Sequence, residues 1–151
     1  MRISIYSSLQ KKSGASVRAT YIVKGLKETG CDVYFPDPPD VLPFHIEQFT
    51  AAFRYSLNAA RRRSDISIAL KPLPQGCIPV FLEKRLGAKA VVDIDDLEWA
   101  YHKGLLSNFL SLFKRKLLPK FDLVMVQNEN LKKEIENLNK NVFVSPQGEE
   151  A

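Results

Sequence analysis

The stretch AVVDIDDLEWAY, residues 90–101, sets the problem of this chain. An apolar run reaches Asp93 and Ile94, then meets Asp95, Asp96 and Glu98, so four carboxylates fall within six residues. A near-continuous apolar run of this length reads as a strand covered on both faces, the habit of parallel sheets. The carboxylates then sit where that strand ends. Asp95 or Asp96 suits the N-cap of a following helix, and Glu98 its first turn. Asp93 does not fit that account. It lies inside the strand among apolar neighbours, and a buried carboxylate needs a partner or several amide donors.

Outward from this strand, the chain alternates between strand and helix patterns. Arg2 to Ser7 reads as a strand, and the polar loop SSLQKKSGAS follows it. Ser16 is placed to cap a helix carrying Ala19, Ile22, Val23 and Leu26, which Gly30 stops. Residues 31–35 form a second strand, and the proline-rich PDPPDVLP that follows is a loop. A helix from about Ile46 to Arg62 carries Ile46, Phe49, Phe53, Leu57 and Ala60 on one face. Ile66 to Leu70 is a strand, KPLPQG a loop, and Ile78 to Leu86 a helix stopped by Gly87. Lys89 to Ile94 is the strand of the opening stretch. Beyond it come a long helix from Leu105 to Leu118, a strand from Asp122 to Val126, a helix from Glu129 to Leu138 and a last strand from Asn141 to Val144.

Strands separated by helix-length crossovers imply parallel pairing. The expected fold is therefore an α/β, Rossmann-like doubly wound domain, with a mostly parallel sheet of about six strands and helices on both faces. The 151 residues make one such domain.

Composition excludes several classes. Mean hydropathy is −0.17 and no apolar run reaches the roughly 18 residues of a membrane span. The N-terminus MRISIYSSLQ lacks an apolar leader core, so a cytoplasmic location is expected. Cys31 and Cys77 stand far apart without a CxxC, which argues against a disulfide framework or a zinc site. The net charge of +5 attracts phosphate-bearing ligands or an anionic membrane, but no nucleic-acid motif accompanies it. No metal and no cofactor is expected.

In doubly wound sheets, ligands bind beyond the carboxyl ends of the strands. That rule collects Ser8 and the Gly14 loop with Arg18, then Lys71, Asp93 with Asp95 and Asp96, and finally Gln127 and Asn128. The Gly14 loop is no GxGxxG, yet amides at a helix start can hold an anion. Lys71 has the alternative of a solvated lysine, and Asn128 that of an N-cap. In the long helix, Leu106, Phe109, Leu110, Phe113 and Leu117 share one side, with Lys114, Arg115, Lys116 and Lys120 toward its end. This reads as a core helix with favourable end charge, although a helix on a membrane surface would look similar.

Four stretches resemble the N-terminal half of a GT-B-fold glycosyltransferase of the large family 4. They are SGASVRATYIVKGLKETGCDVYF, KAVVDIDDLEW, KFDLVMVQNENLKKEIENL and NVFVSPQGEEA, in the family's order. Gln127-Asn128 stands in place of the usual serine and Gln147 in place of asparagine. The resemblance implies an acceptor-binding domain that works against a second domain holding the nucleotide sugar, in cis or in trans. Catalysis falls in the cleft between them, usually without an essential metal. It places Asp95, followed by Asp96, where the family's histidine faces the donor sugar, and Gly14 in the loop that approaches the donor phosphates. The expected partner is a sugar or lipid-linked acceptor, with peripheral contact at the inner membrane face. The chain alone is expected to be inactive, because the second domain would begin where the sequence stops at Ala151.

Two other readings follow from the residues. VVDIDD resembles the hhhhDxD of haloacid-dehalogenase-like phosphatases, in which one aspartate attacks phosphate beside Mg²⁺. There the motif follows the first strand and continues with Thr or Val, whereas Leu97 follows here. The third reading is a non-enzymatic binding module that pairs with another chain through its cleft face.

Overall fold

A computed structural model describes residues 1–7, 14–41, 45–95 and 105–145, without the side chains of residues 14–16, 106, 107 and 110. In chain order these form β1 (Arg2–Ser7), α1 (Gly14–Glu28), β2 (Asp32–Tyr34), α2 (Ile46–Arg62), β3 (Ile66–Leu70), α3 (Pro74–Arg85) and β4 (Lys89–Ile94). The order continues with α4 (Leu105–Leu117), a 3-10 turn (Leu118–Lys120), β5 (Leu123–Val126), α5 (Glu129–Ile135) and β6 (Val142–Val144).

All six strands are parallel, in the order β2-β1-β3-β4-β5-β6. The chain runs outward from β1 to β2, then returns past β1 to build the rest of the sheet. That reversal puts the topological switch point between β1 and β3. The expected Rossmann-like α/β fold is what the chain adopts.

The sheet buries both faces. On one, Ile3, Ile5, Ile68, Leu70 and Val91 pack with Ala19, Ile22, Val23 and Leu26 of α1. On the other, Tyr6, Ala69, Val92, Ile94, Val124 and Val126 meet Ala51, Tyr55 and Ala59 of α2, Cys77 and Val80 of α3, and Leu131 and Ile135 of α5. Leu117, the last residue of α4, packs against this second core. Neighbouring residues on a strand alternate between the two cores, as the period of two requires.

Four expectations need correction. Helix α1 starts at Gly14, so Ser16 lies in its first turn instead of capping it. Helix α3 starts at Pro74, not Ile78, because proline at the first helical position gives up only an N–H that would go unbonded there. The large apolar side chains of α2 face away from the sheet. Ile46, Phe49, Phe53 and Leu57 are exposed, whereas Gln48, Ala51, Ala52, Tyr55, Ser56 and Ala59 are buried. Small residues let α2 approach its neighbours closely, and this decides which face turns inward. In α4, Phe109 is exposed, and Phe113 and Leu117 are half-buried, so this helix is not a plain core helix.

Candidate functional site

Register brings the strand ends level. Ser7 lies opposite Leu70, Leu70 opposite Asp93, and Ile94 opposite Val126. Loops leaving β1, β3, β4 and β5 therefore share one rim.

Asp93 is the deepest charged group of this rim. It sits in β4 between Leu70 and Met125, on the face that α1 covers. Arg18, one turn into α1, meets it with two hydrogen bonds, Nε to Oδ2 at 2.7 Å and Nη2 to Oδ1 at 2.8 Å. Both side chains are nearly buried, at 9% and 4% exposure. A guanidinium fork matches a carboxylate in this bidentate way, which a lysine could not do. Hydrogen bonding to Asp93 outweighs burial and raises the Arg18 pKa above its ordinary value. Arg18 Nη2 also reaches the Ser145 carbonyl oxygen at 3.4 Å, tying α1 to the exit of β6.

Beside this pair lies a second. Lys71 follows β3 directly, and its backbone N–H donates to the Asp93 carbonyl at 2.9 Å, extending the β3–β4 ladder by one bond. Its φ is 71°, a left-handed conformation that costs a residue with a Cβ roughly 1–2 kcal/mol. The buried side chain brings Nζ to 3.5 Å from Asp95 Oδ1, an oxygen that accepts no hydrogen bond among the described residues. Backbone strain of this kind is concentrated at functional sites.

The remaining candidates fall into three groups. Gly14 opens α1 one turn before Arg18, so it belongs to the same rim. Gln127 is half-buried just beyond β5, and Asn128 is the N-cap of α5, its Oδ1 accepting from the Leu131 N–H at 2.9 Å. Ser8 and Asp96 lie outside the described residues.

No family model and no curated protein matches the chain. The site is therefore read from its own chemistry. Each Asp93 oxygen accepts one hydrogen bond from Arg18. The described residues contain no group of three His, Cys, Asp or Glu side chains placed to hold a metal ion. Burial pushes the Cys77 thiol well above its ordinary pKa, so it is a core residue and not a nucleophile.

Two polar groups escaped the sequence reading. Gln75, in the first turn of α3, is buried, and neither end of its amide meets a partner among the described residues. Buried amides are normally bonded, so this one, four positions after Lys71, has unmet capacity for a ligand or water. Glu83, near the end of α3, is almost fully buried, and its Oε1 accepts from Ser4, Tyr6 and Ser64. This network clamps α3 and the end of α2 to β1, away from the rim.

Proposed function

We propose that this chain is the acceptor-side domain of a sugar-nucleotide-dependent glycosyltransferase, working with a second domain that holds the donor. The observation that carries the reading is the paired charge at the switch-point rim. A strained, buried Lys71 faces Asp95, and Arg18 locks Asp93 beside them. The family resemblance of four stretches supports the same reading.

Sugar hydroxyls are recognised by carboxylates, guanidinium groups and amides held in fixed positions. This rim offers each type within neighbouring loops. Asp95 is assigned the acceptor hydroxyl: its Oδ1 takes a hydrogen bond from that hydroxyl and takes up its proton as the oxygen bonds to the anomeric carbon of the donor sugar, whose bond to the nucleoside diphosphate breaks. Asp96 follows as the adjoining carboxylate. Lys71 holds Asp95 in place through their ion pair, and Arg18 with Asp93 fixes the floor. Gly14, Gln127 and Asn128 border the same cleft.

The test compares the chain alone with the chain joined to a donor-binding domain, in cis or in trans, using UDP- and GDP-sugars and measuring nucleotide release. The chain alone is expected to release none. In the reconstituted enzyme, Asp95→Asn is expected to lower kcat by about a hundredfold or more, the range for loss of a general base. Robust turnover by the isolated chain, or an unchanged kcat in Asp95→Asn, overturns the proposal.

A further inference from the structure

Four hydroxyl side chains and one carboxylate meet between α3 and the sheet. Ser4 and Tyr6 alternate along β1 and so share the face that α3 covers. Ser67 stands opposite Ser4 in the β1–β3 register, so its side chain rises on the same face, about one strand spacing of 4.8 Å away. Ser64 lies between α2 and β3, and Glu83 comes down from α3. All five residues are buried, Glu83 at 1% and Ser67 at 0% exposure.

The hydrogens in this cluster do not suffice for its contacts. Ser4 Oγ and Ser64 Oγ lie 2.5 Å apart, and each also reaches Glu83 Oε1, at 3.1 and 3.2 Å. A serine hydroxyl owns one hydrogen, so three contacts share two, and one of them sets lone pairs face to face. Tyr6 Oη, 3.2 Å from Oε1, uses its own hydrogen there. Burial, then the neighbouring Glu83, raises the Tyr6 pKa above its ordinary value, so this phenol remains a neutral donor. Two further oxygens, Glu83 Oε2 and Ser67 Oγ, are buried with no partner among the described residues. The nearby cations are turned elsewhere. Lys84 pairs with Asp122 at 3.0 Å and Arg62 with Asp32 at 3.2 Å, and among the described residues no ion pair reaches Glu83.

We propose that Glu83, Ser4, Ser64, Ser67 and Tyr6 form a site for one monovalent alkali cation, Na⁺ or K⁺. Such an ion accepts lone pairs from every oxygen at once and balances a carboxylate that is costly to bury unpaired. A water would bring no charge, and a single added hydrogen would leave Oε2 and Ser67 Oγ without partners. An oxygen-only set suits a hard cation, and one carboxylate among neutral hydroxyls matches a single positive charge. The ion would pin α3 to β1 and β3, away from the strand-end rim. This inference is independent of sugar transfer and needs no donor domain.

Thermal unfolding of the full chain in sodium, potassium or tetramethylammonium chloride, at equal ionic strength, tests it. Sodium or potassium at about five times its Kd is expected to raise Tm by about 2–4 °C over tetramethylammonium, and the rise should saturate. Ser67→Ala breaks no hydrogen bond among the described residues and is expected to raise the half-saturating concentration roughly fivefold, the usual weight of one neutral polar contact. Glu83→Gln is expected to melt alike in all three salts. Equal melting of the native chain in the three salts overturns the proposal and assigns the idle oxygens to water. A cation response that either folded variant keeps undiminished also overturns it, because the ion then binds elsewhere.

Discussion

Arg18 and Asp93 hold each other in a place where neither charge survives alone. Arg18→Ala leaves a carboxylate stranded in the sheet and is expected to cost about 3–5 kcal/mol in urea unfolding. Arg18→Met combined with Asp93→Leu removes both charges and is expected to restore most of that loss, because an apolar pair of similar volume replaces an ion pair at little cost. Lys71 offers a different contrast. Lys71→Gly relieves the left-handed backbone and Lys71→Ala does not, so the glycine variant is expected to be the more stable by about 1 kcal/mol. At this scale the sequence was partly legible. Asp93 stood out because it interrupts an apolar run, and Arg18 because it follows the first loop. Their pairing was not legible, since it depends on how a helix lies across a strand 75 positions away. Glu83 and Gln75 gave no signal at all. One lies in an ordinary charged helix end and the other in a segment whose two prolines read as loop.

Helix boundaries were mostly legible, and helix orientation was not. Spacing shows that α2 has an apolar face, but it cannot show that Ala51, Ala52 and Ala59 win the inward side through close approach. The rule that large apolar residues point inward fails here because the helix carries two usable faces, one small and one large. Caps were easier to read. Asn128 was recognisable as a possible N-cap from its place before a helical pattern, and it makes that bond. Asn128→Ala is expected to destabilise the protein by about 1 kcal/mol, the usual loss for such a cap. Asn128→Ser is expected to retain most of that stability, since a serine hydroxyl accepts from the same amide. Thermal unfolding of the two variants checks the capping role.

Over the whole molecule, fold class followed from alternation and near-continuous apolar strands, and the strand order completed it. The pH response is set partly at the sheet's other end. Burial alone would raise the Asp122 pKa, but the Ala90 N–H at 2.8 Å and the Lys84 ammonium at 3.0 Å bring it below its ordinary value. A carboxyl depressed in the folded state contributes stability above its unfolded pKa of 3.8, and that contribution fades as pH falls through the lower, folded value. Urea midpoints measured from neutral pH down to pH 3 are therefore expected to fall less steeply in Asp122→Asn than in the native chain. Strand order has one more consequence, for synthesis. The ribosome delivers β1 first, yet β1 ends up between β2 and β3, and β3 is complete only at Leu70. Until that residue clears the exit tunnel, the nascent β1 has one edge without its neighbour. Residues 1–70 must emerge before this central pairing closes, so this interval is when a nascent-chain chaperone has most to shield.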